Sequence, residues 1–321
     1  MSDRQAIIRE LAREALAEGR IDCFVGWGPG YDGSQLIPLF VKDAAEVEQL
    51  QWNSLCHHNL TMFLKRKMAE PADARIGVCV KGCDSRTLVA LLQEGLVDRE
   101  RLYIVGVPCD GVIDRRKIDR EFAAEVVEVG VNGDTVVART AAGAEKHFDR
   151  PALLLDQCAA CRFPNPRVAD DIAGDTVPEP EGEPVWPALE EFESLSPAEK
   201  DGLLAAVFSS CIRCFACIHA CPVCYCWDQC VNRSRTPALV GQRVETPENL
   251  MFQLVHIFHV AGRCPSCGAC DRACPVEIPL YLLHQKMNKE LYDMLGFEAG
   301  VNVDDRPALQ AFNLDDPFGQ G

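Results

Sequence analysis

The apolar positions of this chain change period several times, and each change marks an element. In residues 2–18, Ile7, Ile8, Leu11 and Ala15 recur on one helical face, Ser2 and Gln5 match a capping box, and Gly19 closes the segment. An amphipathic helix is expected there. Residues 21–27 are an apolar run suited to a buried strand, and they lead into Gly28-Pro29-Gly30-Tyr31-Asp32-Gly33. Those letters match a dinucleotide loop. A helix N-terminus would have to follow to hold a pyrophosphate, yet Ser34–Phe40 reads as extended, so a Gly-rich turn is expected instead. Residues 43–67 have helical patterning in two pieces and include Trp52, Cys56, His57 and His58, the two histidines without an assigned role.

A strand at 75–80 then meets Lys81-Gly82-Cys83-Asp84, a helix carrying Leu88, Val89, Leu91 and Leu92, and a second strand at 102–107 ending in Pro108-Cys109-Asp110-Gly111. Strand, helix, strand in that order implies a right-handed crossover and a parallel pairing, with Cys83 and Cys109 at carboxyl ends of strands, the edge where open α/β sheets bind ligands. Residues 125–139 with Asn132-Gly133 read as a hairpin, and Leu153-Leu154-Leu155 as a further strand delivering Cys158-Ala159-Ala160-Cys161. Residues 162–187 are rich in Pro, Gly, Asp and Glu, without period, and read as loop and linker. Ser196-Pro197-Ala198-Glu199 caps a helix running to about Phe208, Thr246-Pro247-Glu248 opens another, and a third follows Pro279 to about Leu295. The expected architecture is therefore an α/β domain with a parallel or mixed sheet and crossover helices (1–165), a linker (166–195), a mostly helical domain (196–300) and an acidic tail (301–321).

Composition adds one unusual feature, 18 cysteines in 321 residues. The formal net charge of −16 excludes a nucleic-acid binder or a ligand of anionic lipid, and suits either a basic protein partner or simple solubility. Asp3, Glu10 and Glu14 interrupt the N-terminus, so no signal peptide is expected, and no 18-residue apolar run offers a membrane span. Cytoplasmic residence, where thiols stay reduced, is the expectation.

Eight cysteines fall in two copies of one spacing, Cys211-x2-Cys214-x2-Cys217-x3-Cys221-Pro222 and Cys264-x2-Cys267-x2-Cys270-x3-Cys274-Pro275. This is the run that ligates cubane clusters in bacterial-type ferredoxins. Its first three thiolates wrap one cube, and the fourth, stopped by proline, reaches the other. One [4Fe-4S] cluster is thus expected on Cys211, Cys214, Cys217 and Cys274, and another on Cys264, Cys267, Cys270 and Cys221. Structural zinc normally uses two separated pairs. Residues 222–263 make the intervening segment far longer than in a compact two-cluster ferredoxin, which points to helices rather than hairpins around the clusters. His256 and His259 lie on one of them, where satisfied packing is weighed against cluster tuning.

Of the remaining ten, Cys83, Cys109, Cys158 and Cys161 stand in loops at strand ends and supply the four thiolates of a third cubane, with buried structural thiols as the alternative. Cys224, Cys226 and Cys230 give three thiolates of a fourth site, for which Cys23, Cys56 or Cys79 could complete the set; ordinary thiols or a ligand set shared with another chain stay equally open.

Lys81-Gly82-Cys83-Asp84, Val105-Gly106-Val107-Pro108-Cys109, and Cys158-Ala159-Ala160-Cys161 followed by Ala169-Asp170-Asp171-Ile172-Ala173-Gly174-Asp175 resemble the beta-subunit family of coenzyme F420-reducing hydrogenases and F420-dependent formate dehydrogenases. The resemblance covers about residues 20–180. It implies a [4Fe-4S] site on Cys83, Cys109, Cys158 and Cys161 beside FAD. The family's flavin-associated segment corresponds here to Trp52-Asn53-Ser54-Leu55-Cys56, a departure that bears on FAD and on hydride chemistry. The C-terminal domain looks like the helical ferredoxin modules of heterodisulfide reductase small subunits and formate dehydrogenase beta chains.

These observations describe an iron–sulfur electron-transfer subunit, passing single electrons between a flavin or metal centre and a partner redox subunit. The partner would be a hydrogenase, a formate dehydrogenase or a heterodisulfide-reductase-like flavoprotein. The alternatives are an FAD-containing subunit that takes hydride from F420 or NAD(P)H, and an assembly scaffold with structural clusters. No hydrolase triad, phosphate loop or carboxylate pair is present in the sequence.

Overall fold

The computed structural model describes residues 3–64, 73–226, 229–235 and 238–308. By internal contacts the chain divides into two units, residues 1–85 with 97–183, and residues 86–96 with 184–321.

The first unit is built on a mixed five-stranded sheet of order β2-β1-β3-β4-β8, with β1 Cys23–Pro29, β2 Leu36–Val41, β3 Ile76–Val80, β4 Leu102–Gly106 and β8 Asp171–Ile172. β1 pairs antiparallel with β2 and parallel with β3, and the β3–β4 and β4–β8 pairs are parallel. Every residue of β3 and β4 is buried, which matches their unbroken apolar sequence. Helix α1, Arg4–Ala17, buries Ile8, Ala12 and Ala15. Its cap is Asp3, whose carboxylate accepts the Ala6 N–H at 3.1 Å, rather than Ser2, which lies outside the described residues. In the antiparallel β1–β2 pair Gly28 and Pro29 are still strand residues, and the expected Gly-rich turn is made by Gly30–Gln35, closed by the Gly30 N–H to the Gln35 carbonyl at 3.1 Å.

Four local expectations differ. Residues 43–64 form two short 310 helices, Ala44–Gln49 and Leu60–Phe63, because Asp43 and Asn59 cap brief turns and the intervening residues follow neither period; residues 65–67 lie outside the described residues. Leu153-Leu154-Leu155 is not a strand. Pro151 opens a helical turn (α4, Arg150–Leu153), and only Leu154 bridges to Ile113. The hairpin β5 Val126–Asn132 with β6 Thr135–Thr140 gains a third strand, β7 Glu145–Asp149. Finally, the supposed loop after Cys161 supplies β8. There the Asp170 carboxylate accepts the Ile104 N–H at 2.7 Å and the Tyr103 hydroxyl donates to Asp171 at 2.8 Å, so the Ala-Asp-Asp-Ile motif pins the sheet edge.

The second unit is mostly helical: α6 Pro187–Ser194, α7 Pro197–Ser209, α8 Ala216–Ala220, α9 Thr246–His259, α10 Ala269–Arg272 and α11 Leu280–Leu295. Ser196 and Glu199 form the expected capping box of α7, and Gly296 ends α11 in the left-handed region. Helix α2, Gly82–Gln93, starts in the first unit and contributes residues 86–93 to the second. The core of the second unit is unusual in that Cys211, Cys217, Cys224 and Cys270 are members of it beside Phe208, Phe252 and Leu280. Residues 309–321 of the acidic tail lie outside the described residues. Among the described residues no helix is long and apolar enough to cross a membrane.

Candidate metal centres

Both cysteine runs fold the same way. Arg213 (φ 51°) and Phe215 (φ 64°) in the first, and Ser266 (φ 61°) and Gly268 (φ 65°) in the second, occupy equivalent positions in the left-handed region. A short helix follows each, α8 and α10. Left-handed residues are a component of the concave backbone loops that bind anions and iron–sulfur groups. Three of these four residues are not glycine, and each such conformation costs about 1–3 kcal/mol, so the surrounding structure holds the loops against strain.

The thiols group both within and across the runs. Burial pushes the Cys217 thiol up to about 12, with Cys211 and Cys274 adding to it. Cys270 is pushed well above the usual thiol range by burial, then by Cys221, Cys264 and Cys267. Cys221 is raised in the same direction by burial, with Cys224, Cys264 and Cys267 contributing. Cys274 thus lies near Cys211 and Cys217 of the first run, and Cys221 near Cys264, Cys267 and Cys270 of the second. Cys221, Cys264, Cys267 and Cys270 line one cavity of about 350 Å³ including its mouth, walled also by Pro222, Gly268 and His284. Cys214 is exposed on the rim of the first run. Among the described residues no three His, Cys, Asp or Glu side chains converge as ligands of a single metal ion would. A cubane calls for thiolates spaced around its corners instead.

Several supporting residues were not foreseen. Arg86 is buried and donates from Nε and Nη2 to the Ala299 carbonyl (3.0 and 2.7 Å) and from Nη1 to the Pro265 carbonyl (3.3 Å), fixing the second run's backbone. Asn288 Nδ2 donates to the Cys264 carbonyl at 3.2 Å, and Arg272 Nη1 to the Cys267 carbonyl at 2.8 Å. Gln253 Nε2 lies 3.7 Å from Cys211 Sγ and 4.0 Å from Cys217 Sγ. His256 and His284 meet edge to face, ring centroids 5.4 Å apart. Burial lowers His256 to about 3, with His284 and His259 adding to it, and burial lowers His284 to about 4, so both rings are neutral at pH 7. His256 is not satisfied packing, because neither ring nitrogen has a hydrogen-bond partner among the described residues.

In the first unit the third candidate set sits at the carboxyl edge of β3 and β4. Cys83 is in the first turn of α2, Cys109 follows β4, and Cys158 and Cys161 belong to one turn (α5, Asp156–Ala159, closed by Cys161 N–H to Cys158 O at 3.2 Å). Cys109 is raised strongly by burial and then by Cys158, which places those two thiols within electrostatic reach. Lys81 lies within electrostatic reach of Cys83 and Cys109. Burial works against its charge, but Asp84 and then Cys83 hold the ammonium, with Cys109 adding to them. Its Nζ is 2.8 Å from Asp84 Oδ2, donates to the His58 carbonyl at 2.9 Å, and lies 4.2 Å over the Trp27 ring. Cys56, raised to about 12 by burial, and Cys79 are core thiols of this unit. Cys226 and Cys230 hydrogen-bond to each other in the second unit.

No family model matches the chain. It is 25% identical over 337 residues to the beta subunit of F420-dependent formate dehydrogenase from Methanocaldococcus jannaschii, covering 85% of this chain and 84% of that protein. It is also 25% identical over 366 residues to the beta subunit of F420-dependent formate dehydrogenase 1 from Methanococcus maripaludis, covering 94% and 92%. Lactate utilization protein B of Bacillus subtilis is 29% identical over 152 residues, 46% of this chain and 30% of that protein. Among solved structures, a chain of the F420-reducing [NiFe] hydrogenase complex from Methanosarcina barkeri aligns with a TM-score of 0.39 at 17% identity, over 51% of this chain and 64% of that one. Over most of its length the chain is therefore similar to beta subunits of F420-dependent formate dehydrogenases, the kind of protein its Cys83, Cys109 and Cys158–Asp175 motifs resemble.

Proposed function

We propose that the chain is an iron–sulfur electron-transfer subunit of a cytoplasmic oxidoreductase complex. It relays single electrons between a flavin or metal centre and a partner redox subunit of the hydrogenase, formate dehydrogenase or heterodisulfide-reductase-like kind. Cys211, Cys214, Cys217 and Cys274 hold one [4Fe-4S] cluster, Cys264, Cys267, Cys270 and Cys221 a second, and Cys83, Cys109, Cys158 and Cys161 a third. When bound, the clusters supply one-electron carriers whose potentials follow hydrogen bonding, charge and exposure. The chain's own part is to hold the thiolates, bury Cys211, Cys217, Cys267 and Cys270 away from water, and offer a donor from Gln253. The observation that carries this reading is the single cavity that joins Cys221 of the first run to Cys264, Cys267 and Cys270 of the second.

The test is anaerobic purification with iron and acid-labile sulfide counts and EPR. Two cubanes require about eight irons per chain and three about twelve. Colourless protein, or zinc without labile sulfide, refutes the proposal. Flavin absorbance bleached by reduced F420 or NAD(P)H in the singly expressed chain would instead make it a hydride-accepting flavoprotein.

A further inference from the structure

The second unit buries a layer of polar side chains that packing does not explain. Asn249, Gln253 and His256 fall at i, i+4 and i+7 on one face of α9 and are 1–2% exposed; His284 on α11 is 3% exposed. A buried polar atom without a partner costs about 1–3 kcal/mol. Yet Gln253 Oε1, both ring nitrogens of His256 and Nε2 of His284 have none among the described residues.

The layer touches the thiols at both ends. Gln253 reaches Cys211 and Cys217 of one set through Nε2. His284 lines the cavity of the other set, and His256 stacks against it edge to face. His284 thus brings an unpartnered Nε2 to the wall shared by Cys221, Cys264, Cys267 and Cys270, and Gln253 Nε2 already lies beside two thiols of the other set.

Resting on the iron–sulfur reading above, we propose that His284 and Gln253 are the donors that set the potentials of the two clusters. His284 acts through Nε2–H on the group held by Cys221, Cys264, Cys267 and Cys270, and Gln253 through Nε2–H on that held by Cys211, Cys214, Cys217 and Cys274. An added electron makes each sulfur cage more negative, so a directed N–H stabilises the reduced form more than the oxidised one and raises the potential. His256 is a positioning residue that fixes the His284 ring.

The experiment uses the full chain, purified anaerobically as wild type, His284→Leu, His284→Gln and Gln253→Leu, with iron and sulfide counts and EPR-monitored redox titrations. His284→Leu is expected to keep its iron and to shift one centre's redox equilibrium about tenfold toward the oxidised form, a drop of about 59 mV for a one-electron couple. His284→Gln, which restores a donor, recovers at least half of that shift, and Gln253→Leu lowers the other centre. Unchanged iron with both centres within twofold of wild type overturns the inference and leaves the iron–sulfur reading standing, whereas absence of iron from the wild type overturns that reading itself. If His284→Leu loses iron, the Gln253→Leu titration decides by the same criterion.

Discussion

The two units keep their cysteines in opposite relations to their cores. In the first, Phe24, Trp27, Leu60, Ile76 and Ile104 are fully buried around a hydrogen-bonded sheet, and Cys83, Cys109, Cys158 and Cys161 sit partly buried at its carboxyl edge. In the second, Cys211, Cys217 and Cys270 are core residues, Cys221, Cys264 and Cys274 pack against them, and the elements are helices separated by loops. The first unit has a core to fold around before any thiol is engaged. The second surrounds its thiols, so its folding is coupled to whatever they bind.

The largest test of that contrast is removal of iron. Structural metal sites contribute folding free energy on the order of 10 kcal/mol, so stripping the chain anaerobically with acid and chelator should abolish hydrogen-exchange protection in α7, α9 and α11. Protection in β1, β3 and β4 should persist. Protected α9 amides in iron-free protein would erase the difference between the units.

A second perturbation acts on the first unit alone. Lys81 and Asp84 form an ion pair with side chains 3% and 1% exposed, and Asp84→Asn leaves the ammonium buried beside Trp27 without its counter-charge. Breaking one side of such a pair costs about 3–5 kcal/mol. The denaturation transition of the first unit should move by that amount, with exchange in α9 and α11 unchanged.

Gly82→Ala should follow in size. A Cβ there would lie 1.9 Å from the Phe163 carbonyl oxygen, because the loop after Cys161 presses onto the start of α2 between Cys83 and Cys109. Relief by backbone shift costs about 1–3 kcal/mol. If Cys83, Cys109, Cys158 and Cys161 hold a cluster, this variant should lose about four irons and leave the EPR signals of the crossed pair intact. Loss from the pair instead would show that the two regions do not act separately.

The same contrast governs what could be read from sequence. The cysteine runs were legible because each spacing is local, held in one short loop; the α7 cap and the strands before Cys83 and Cys109 were legible because their local signals are strong. The strand β7, Glu-Lys-His-Phe-Asp, was not, since it lies on a solvated three-stranded sheet where no apolar alternation is required. β8 spans two residues and is fixed by Asp170 and Asp171 rather than by hydrophobicity. Arg86 was invisible because its partners lie 179 and 213 residues away. Asn249 and Gln253 were not singled out at all, because nothing local in the sequence shows that this polar stripe is turned inward. Burial of polar groups beside a site inverts the rule by which periodicity is read.

The smallest effect compares the two runs with each other. Equivalent left-handed positions carry Phe215 in the first and Gly268 in the second. Phe215 packs edge to face on Phe252, centroids 5.1 Å apart, an arrangement worth about 0.5–1.5 kcal/mol, which offsets a left-handed penalty of about 1–2 kcal/mol. Gly268 carries no such penalty and has no ring to lose. Gly268→Ala should therefore cost about 1 kcal/mol, measured as a shift in the denaturant midpoint of the iron-loaded chain at unchanged iron content. Phe215→Gly should cost less, since relief of strain and loss of the ring contact oppose each other. A Phe215→Gly variant that falls further than Gly268→Ala would mean that the ring, and not the loop backbone, holds the first run in shape.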